Sequence, residues 1–324
     1  MLRKTIGWHS AVAAVLIAGG PSALAATLLM PAAQAQTLPA TSYVSPAGAT
    51  GAADDSCADA AFSSIQAAVD GTASGGTVVV CAGTYDESVT VTKLLTLQGL
   101  AGSIIDAKGA PYGIGIAYSQ VVVTGLTVEG AVANTKTNAP GDGIITAGFV
   151  DGKPVTSNDD VIVSDVTKDN EGAGIDLNST TGSIAAHDVS DGNGVGINLS
   201  NDLGMPDSHN DVAGNVTDDN PGGCGIVLAD HTGAGVFDNV IVGNTSEGNG
   251  LGTPSRPNAS SGSGVILAAA SKTGGVWGNT IQSNKLIANG HAGVAVHAHV
   301  PGLDFAGNRI VDNTIGTNNE RTDY

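Results

Sequence analysis

The chain is poor in aromatic and sulfur-containing residues. Phe, Trp and Tyr together make up 3% of its 324 residues, and there are 3 Cys and 3 Met. A core without bulky rings must be filled by small aliphatic side chains in a narrow space, which a sheet-lined tube provides better than a wide globule. Hydrophobic residues nevertheless account for 41% of the sequence, and this excludes a disordered chain.

Positive charge is scarce as well. There are 12 Lys and Arg against 30 Asp and Glu, which gives a net charge of −18. Loss of Arg3 and Lys4 with the N-terminal segment described below would leave 12 − 2 = 10 basic residues and a net charge of −20. Such a chain repels nucleic acid and acidic lipid surfaces, and it repels polyanionic sugars unless divalent cations bridge the carboxylates. The sequence identifies no cofactor, and Ca²⁺ is the candidate that a polyuronate ligand would require.

Residues 1–35 have the pattern of an export signal. Arg3 and Lys4 precede the apolar run Ala11–Ala18, and two small-residue cleavage sites follow. Cleavage after Ala35 is favoured over cleavage at the earlier site. We therefore expect a secreted protein in which these residues are removed.

The apolar run of the signal is too short to be a membrane anchor, because Gly19–Pro21 interrupt it well before a spanning length. The remaining chain has no comparable run. We expect residues 36–56 to form a linker and residues 57–324 to form one folded domain.

A short helical pattern opens that domain. Phe62, Ile65, Ala68 and Val69 recur at helical spacing, and Gly71 is placed to end the helix. An amphipathic helix at the start of a stack of strands can cover apolar side chains that the first strands would otherwise expose. The sequence therefore predicts a short N-terminal capping α-helix.

Two of the three cysteines bracket this helix. Cys57 and Cys81 can close a loop of about 24 residues in an oxidising compartment, which stabilises the fold by roughly 3 kcal/mol in the chain-entropy model. Cys224 is left over, and we interpret it as a small apolar core residue.

The rest of the chain repeats one unit. From Gly113 onward a Gly-x-Gly phrase followed by a β-branched residue returns as GIGI, GDGI, GAGI, GVGI, GCGI, GSGV and, with His first, HAGV. Pairs of Asp or Asn five residues apart recur between the phrases: Asp165/Asn170, Asp188/Asn193, Asn215/Asn220, Asn239/Asn244, Asn279/Asn284 and Asn308/Asn313. A unit of about 22 residues with insertions of variable length is typical of a solenoid.

The unit favours strands over helices. Aliphatic residues alternate with period two, as at Ile226/Leu228 and Val265/Leu267, so these side chains should share the inner face. Asparagine at fixed places can adopt a left-handed conformation and bond its equivalent one rung away, about 4.8 Å distant. The pattern resembles the right-handed parallel β-helix superfamily, the pectate-lyase-like fold, and within it the exported β-helix repeat proteins of bacteria. This resemblance implies an all-β right-handed parallel β-helix, and it does not imply an activity.

No capping pattern follows the last unit, LDFAGNRIVDNTIGTNN, after which the sequence reads ERTDY. A rung left open at this end would expose strand edges and apolar side chains. Either partner chains cover this end, which would make an oligomer, or the chain is shorter than its relatives.

The repeat register brings candidate catalytic residues together. Counted from the second glycine of each phrase, Asp202, His231 and His299 occupy equivalent places, and Asp230 precedes His231. We expect them on one turn edge, with His299 about 10 Å further along. A carboxylate beside an imidazole can abstract a proton next to a uronate carboxyl or bind a metal. Ordinary solvated polar residues at a turn explain the same pattern.

Substrate-binding candidates lie near by. His209 belongs to an insertion, NDLGMPDSHND, that has a partial likeness to the Asp- and His-bearing motif of mannuronan epimerases of this fold. Arg256 lies in the longest insertion, 245–262. Phe237 and Trp277 stand two residues before equivalent Asn residues, so their rings should stack on the outside as a sugar platform. Packing of both rings beneath the 245–262 insertion is the alternative.

Three functional hypotheses follow. The first is a secreted, non-catalytic module that binds extracellular polysaccharide or serves in the cell envelope, because basic residues are few and lyase and hydrolase motifs are missing. The second is a polysaccharide lyase or C5-epimerase acting on a uronate polymer. The third is an accessory protein resembling the β-helix family of nitrous oxide reductase maturation. The sequence identifies no metal site.

Overall fold

The computed structural model of the chain describes residues 38–47, 56–134, 140–252 and 262–318. The predicted signal, most of the predicted linker and Arg256 lie outside the described residues. All described residues belong to one structural unit, Thr37–Tyr324. No helix among them is long and apolar enough to cross a membrane.

The described chain coils through three long parallel sheets. In the ten-strand sheet the order is Thr41–Val44, Gly76–Val80, Leu95–Gly99, Val122–Thr124, Val161–Val163, Ile184–Ala186, Asp211–Ala213, Val240–Val242, Thr280–Gln282 and Arg309–Val311. In the nine-strand sheet it is Gly83–Asp86, Ser103–Asp106, Thr127–Glu129, Val166–Lys168, Val189–Asp191, Val216–Asp218, Thr245–Glu247, Lys285–Ile287 and Thr314–Gly316. In the eight-strand sheet it is Val89–Val91, Tyr112–Ile116, Asp142–Ile145, Ala173–Asn178, Val195–Ser200, Ile226–Asp230, Val265–Ala269 and Val294–Ala298.

Two small sheets complete the described strands. Asp207–Ser208, Val236–Phe237 and Val276–Trp277 form a parallel three-strand sheet between the eight-strand and ten-strand sheets. Ala147–Val150 and Lys153–Thr156 form an antiparallel hairpin whose first strand packs against the eight-strand sheet. The coils therefore visit the eight-strand, ten-strand and nine-strand sheets in turn, three of them add a strand of the three-strand sheet after the eight-strand one, and the predicted parallel β-helix is confirmed.

The core is a column of aliphatic side chains. In most strands before the last rung one or two inward residues are fully buried, as Ile226 and Leu228 illustrate, and their equivalents in neighbouring rungs stack on them. The period-two alternation read from the glycine phrase is confirmed by this burial.

The predicted helix is shorter than its sequence pattern. It spans Ile65–Gly71, with Ser64 as N-cap and Thr72 as C-cap. Phe62 precedes it and pairs with Val44 in an isolated parallel bridge. The helix packs Ile65 and its other buried residues on the first strands of the coil, as a cap would.

The N-terminal boundary differs from the expected one. Thr41–Val44 pair in parallel with residues 77–80, so the coil includes a strand from the segment interpreted as a linker. Cys57 and Cys81 form the predicted disulfide, with their Cα atoms 5.7 Å apart. Cys224 is a buried free cysteine, as interpreted.

From Asp160 onward the coils have three corner ladders, made of Asx residues except at Ser183, instead of the predicted two. The first ladder contains Asp160, Ser183, Asn210, Asn239, Asn279 and Asn308, the second Asp165, Asp188, Asn215, Asn244, Asn284 and Asn313, and the third Asn170, Asn193, Asn220, Asn249, Asn289 and Asn318. In each ladder a side-chain oxygen accepts the backbone N–H of the equivalent residue in the preceding rung. The predicted pairs mix two registers, because Asn239 is equivalent to Asn210 and Asn244 to Asn215.

The left-handed conformation belongs to the residue before each ladder member, and not to the asparagine as expected. Ser164, His187 and Ser283, for example, have φ of 62°, 59° and 56° and each precedes a member of the second ladder. A three-residue strand and this two-residue corner together separate successive ladder members along the chain by five residues.

Candidate functional site

A polar cluster lies on the outer face of the eight-strand sheet. Asp176 sits between two core residues of its strand and therefore faces away from the core. It is nevertheless 3% exposed. Its carboxylate accepts hydrogen bonds from Asn198 Nδ2 at 2.9 Å, Asn178 Nδ2 at 3.0 Å and Ser200 Oγ at 3.2 Å.

The Asp176 carboxyl titrates near neutrality. Burial, and then the charge of Asp202, raise its pKa to about 7 against the effect of its hydrogen-bond donors. In the preceding rung, burial and the charge of Asp176 raise the pKa of Asp142 well above its usual value. Asp142 Oδ1 accepts the backbone N–H of Ala173 at 2.7 Å, while Oδ2 has no hydrogen-bond partner among the described residues. The two buried carboxyls therefore tend to hold protons.

Asp202 and His231 form an exposed pair beside this cluster. They occupy equivalent places in adjacent rungs, as the register predicted, and His231 Nδ1 lies 2.6 Å from Asp202 Oδ1. Their side chains are 46% and 44% exposed, so the pair faces solvent. The Ser200 hydroxyl lies within hydrogen-bonding reach of Asp202 and connects the pair to Asp176.

The pair favours its ionic form. Partial burial acts to raise the pKa of Asp202, but the hydrogen bond and charge of His231 outweigh it and lower that pKa. The same hydrogen bond raises the pKa of His231, against an opposing effect of burial. An imidazolium held by a carboxylate can donate a proton, and after donation the imidazole can accept one.

Asp230 does not share this solvent-exposed edge, which corrects the sequence-based expectation. It follows the inward residue two places earlier, so its side chain also points inward and is fully buried. Its carboxylate accepts hydrogen bonds from Asn201 Nδ2 at 2.6 Å, Gly233 N at 2.8 Å, Gly275 N at 2.7 Å and Ser271 Oγ at 2.9 Å. Asp230 therefore fixes the turn and is not accessible to a substrate.

His299 lies in the predicted column but apart from the pair. Ala270 occupies the equivalent place in the intervening rung, which puts His299 two rungs, or roughly 10 Å, from His231. Its exposed ring instead meets that of His297.

The predicted aromatic stack is present on the three-strand sheet. Val236 and Val276 point inward and are fully buried, so the next residues point outward. The rings of Phe237 and Trp277 lie 4.7 Å apart and 8° from parallel. The insertion that could cover them is largely outside the described residues, so packing beneath it stays an alternative.

The stack has different neighbours at its two ends. Ser208 precedes Phe237 in the column, and Ala306 follows Trp277, because Asp304 pairs with Gly275. Ala306 is exposed and contributes only a methyl group. The indole face on that side therefore has no ring stacked on it within the described residues.

His209 joins the stack at its edge. The imidazole lies 6.1 Å from the Phe237 ring at 80°, an edge-to-face contact. Its Nε2 is 3.9 Å from Asp238 Oδ2, and its side chain is 60% exposed. His209 adopts φ 57°, the corner conformation described above. This substrate-binding candidate thus lies beside the other two, while Arg256 lies outside the described residues.

The sequence did carry a signal for the missed cluster. The place between the two aliphatics of the glycine phrase holds Asp176 and Asn198 in consecutive units and Val227 and Ile266 in the next two. A polar pair at an otherwise apolar outer place marks a local site, but only when the units are aligned on this place.

Comparisons with known proteins agree on architecture. A family model described as "Periplasmic copper-binding protein (NosD)" matches residues 153–253, less than a third of the chain. No curated protein matches the sequence. No group of three or more His, Cys, Asp or Glu in the described part of the chain could hold a metal ion.

Among solved structures, pectate lyase Pel9A is 14% identical, with 83% of this chain and 79% of that chain covered and a TM-score of 0.57. The Agl-KA catalytic domain is 15% identical, with 84% and 54% covered and a TM-score of 0.53. The A-module of the Azotobacter vinelandii mannuronan C-5 epimerase AlgE4 is 17% identical, with 78% and 94% covered and a TM-score of 0.39. The first two likenesses show the fold alone.

Proposed function

We propose that this right-handed β-helix of the pectate-lyase-like fold is an exported, non-catalytic protein that binds extracellular glycan through its Phe237–Trp277 stack. The observation that carries the proposal is the outward stack of two rings, 4.7 Å apart, at the surface of the coil. Export is supported by the N-terminal signal pattern and by the Cys57–Cys81 disulfide, which persists in oxidising compartments.

A pyranose ring can extend this stack. The apolar C–H face of a sugar packs on an aromatic face, and the amphipathic indole is well suited to such a partly wet surface. Among the described residues, only the exposed Ala306 occupies the place above Trp277, which leaves room there for a sugar to lie against the indole. His209 and Asp238, which flank Phe237, supply polar groups for sugar hydroxyls.

The charge near the stack favours a neutral glycan. The chain carries a net charge of −18, and exposed Asp238 and Asp304 lie next to the stacked residues. These carboxylates would repel a uronate polymer, whereas they can accept hydrogen bonds from the hydroxyl groups of a neutral glycan. Neutral polymers such as xylan or glucan are therefore the first ligands to test, with polygalacturonate and alginate as the charged comparison.

Tryptophan fluorescence tests the proposal directly. The chain has two Trp, and Trp8 lies in the expected signal, so the fluorescence of the chain from residue 36 onward reports on Trp277 alone. Titration with neutral oligosaccharides should change the emission in a saturable manner. In affinity electrophoresis on the same glycans, Trp277→Ala should lose the retardation and Trp277→Phe should keep part of it. Phe149→Ala, which removes another exposed ring remote in sequence, serves as the matched control.

Equal retardation of the Trp277→Ala variant and the parent would refute the stack as the binding surface. Binding of polyuronates in preference to neutral glycans would refute the proposed ligand class. Loss of binding in Phe149→Ala as well would indicate a different surface.

A second candidate function is proton transfer on a uronate polymer. It is favoured by the contact of His231 with Asp202 at 2.6 Å and by the neighbouring Asp176, whose pKa is about 7. The exposed imidazole, held by the Asp202 carboxylate, could serve as acid or base in a lyase or C5-epimerase reaction.

The two candidates are separated by product analysis. The full chain is incubated with alginate, pectate and glycosaminoglycans, with and without Ca²⁺. Unsaturated products are followed by ultraviolet absorbance and epimerised residues by NMR. The second candidate requires activity that is lost in His231→Gln and Asp202→Asn. Absence of products with every polymer would eliminate it for these substrates.

A further inference from the structure

The strand Val161–Val163 has a buried carboxyl at each end. Asp160 belongs to the first corner ladder and Asp165 to the second, and Asp188 follows Asp165 in the next coil. All three residues are buried, with exposures of 0%, 1% and 1%. In the coils from Asn210 onward the same places hold asparagine, so an acid stands here where the fold otherwise uses an amide.

One oxygen of each carboxyl does what the amide oxygen does in the later coils. Asp160 Oδ1 accepts the backbone N–H of Val121 at 2.9 Å, and Asp165 Oδ1 accepts that of Leu126 at 2.8 Å. Asp188 Oδ1 accepts the backbone N–H of Asp165 at 2.8 Å. The second oxygen, Oδ2, has no hydrogen-bond partner in any of the three within the described residues. These corners therefore differ from the asparagine corners at one atom of each side chain.

What the second oxygen lacks is a hydrogen. In the second ladder the amide nitrogen donates to the carbonyl of the central strand residue one coil earlier, as Asn215 Nδ2 does to Ala185 O at 2.9 Å. The same register directs Asp188 Oδ2 toward the carbonyl oxygen of Ile162. Two oxygens that can only accept hydrogen bonds repel each other unless a proton lies between them. A protonated carboxyl therefore closes this corner, and a carboxylate weakens it.

The surroundings of the three carboxyls also oppose ionisation. Burial is the main cause that raises the pKa of Asp160 and of Asp165 to about 7 and the pKa of Asp188 to about 8. The charge of Asp159 raises the pKa of Asp160 further, and the charge of Asp165 does the same for Asp188.

Other titratable groups lie on or beside the same coils. His187 precedes Asp188 and is exposed at the corner. Asp142, Asp176 and Asp207 are buried, and burial is the first cause that raises the pKa of each. These four groups are present both in the parent and in variants of the three corner carboxyls, so their contribution is a common background.

We propose that residues 157–191 form a proton-dependent segment, whose corners are closed while their carboxyls are protonated and open locally when these ionise, with the coils from Ile226 onward still folded. In an opened corner the carboxyl returns to its ordinary pKa of 3.8, so opening releases protons between about pH 4 and pH 7. The closed state is thus favoured in acid and is weakened as the pH rises. Each carboxyl that ionises on opening raises the equilibrium constant for opening by up to about tenfold per pH unit. For an exported chain, this couples the coil to the acidity of its surroundings.

Hydrogen exchange of the full chain, followed by mass spectrometry, tests the proposal. Protection factors, corrected for the intrinsic exchange rate, are compared at about pH 5.5 and about pH 6.5. We expect protection in residues 157–191 to fall at least about tenfold over this unit. Protection in residues 226–249, whose corners hold Asn239, Asn244 and Asn249, should change less than about threefold. A parallel fall in both segments would mean global unfolding and would overturn the local segment.

A triple variant isolates the corner carboxyls. Asp160→Asn/Asp165→Asn/Asp188→Asn supplies the missing hydrogen at each corner and should remove most of the pH dependence of protection in residues 157–191. Asparagine already occupies these places in later coils, so the fold should tolerate the changes. Asp169→Asn/Asp191→Asn neutralises two exposed carboxylates of the same coils and should keep the dependence of the parent. A triple variant with the same pH dependence as the parent would overturn the proposal.

Discussion

At the scale of single residues, the second corner ladder contains two carboxyls where later rungs have amides. In later rungs Asn215 donates from Nδ2 to Ala185 O at 2.9 Å and to Asn244 Oδ1 at 3.0 Å. Asp165 and Asp188 cannot donate unless protonated, and Oδ2 of each has no partner among the described residues. Burial accordingly raises the pKa of Asp165 to about 7 and that of Asp188 to about 8.

The direction of the pH effect follows from these values. The unfolded chain releases the Asp188 proton near its ordinary pKa of 3.8, whereas the folded chain holds it up to about pH 8. The stability that the protonated carboxyl contributes is therefore complete below about pH 4 and is lost as the pH rises through about 8. We expect Asp188→Asn to raise the free energy of unfolding by about 1–3 kcal/mol near pH 8, because the amide satisfies the ladder.

Denaturant unfolding at about pH 5 and about pH 8 checks this prediction, with the gain expected to be larger at the higher pH. Asp312→Asn, at an exposed corner, is the control and should change little at either pH. A gain that is equal at both pH values would show that titration of Asp188 is not its cause.

The buried Asp230 gives the opposite prediction for the same chemical change. Its two oxygens accept from Asn201 and Gly233 on one side and from Ser271 and Gly275 on the other. An amide would direct its NH₂ group at donors on one side. We expect Asp230→Asn to lower the free energy of unfolding by about 2–4 kcal/mol, measured by denaturant unfolding. A change of less than about 0.5 kcal/mol would contradict this structural role.

At the scale of elements, the corner is the unit that sets the coil. Asn244 accepts at Oδ1 from Asn215 N and Nδ2 and donates from Nδ2 to Val212 O and Asn284 Oδ1. Asn313, in the last described rung, is partly exposed and donates to Ile281 O while accepting from Asn284.

Position along a ladder should therefore decide the effect of removing an asparagine. We expect Asn244→Ala to cost about 2–4 kcal/mol of unfolding free energy and Asn313→Ala about 1 kcal/mol, because the first leaves more buried groups unpaired. The pair is compared by denaturant unfolding under one condition. Equal costs would mean that the ladder bonds contribute little and that strand packing dominates the corner.

At this scale, the sequence predicted the features that depend on local periodicity. The alternation at Ile226 and Leu228, the outward stack of Phe237 and Trp277 and the contact of Asp202 with His231 all follow from counting places within a unit. The burial of Asp230 was missed because counting residues from the glycine phrase did not show which side chains point inward at the end of the strand. The third corner was missed because Ser183 replaces an Asx residue there and because pairs, not triplets, were aligned. The cluster at Asp176 depends on stacking across rungs that insertions displace in the sequence.

At the scale of the whole molecule, the described coil ends on an open cross-section of its core. Val296, Ile310 and Ile315 are 57%, 44% and 54% exposed, whereas their equivalents one rung earlier, Leu267, Ile281 and Leu286, are fully buried. Each of these three side chains is the next member of a column of core residues that runs along one of the three long sheets. The last described rung thus presents apolar groups together with unpaired strand edges, which are the features that solenoids normally cover.

We expect the protein to associate through this rung, in line with the sequence-based expectation. Sedimentation velocity over a range of concentrations should show self-association that Ile310→Lys and Ile315→Lys reduce, because a charge at either place must be desolvated when the rung is covered. Val189→Lys places the same charge at an exposed apolar residue of an inner rung and should leave the association unchanged. If the two last-rung variants sediment as the parent does at every concentration, copies of the chain do not meet at this end.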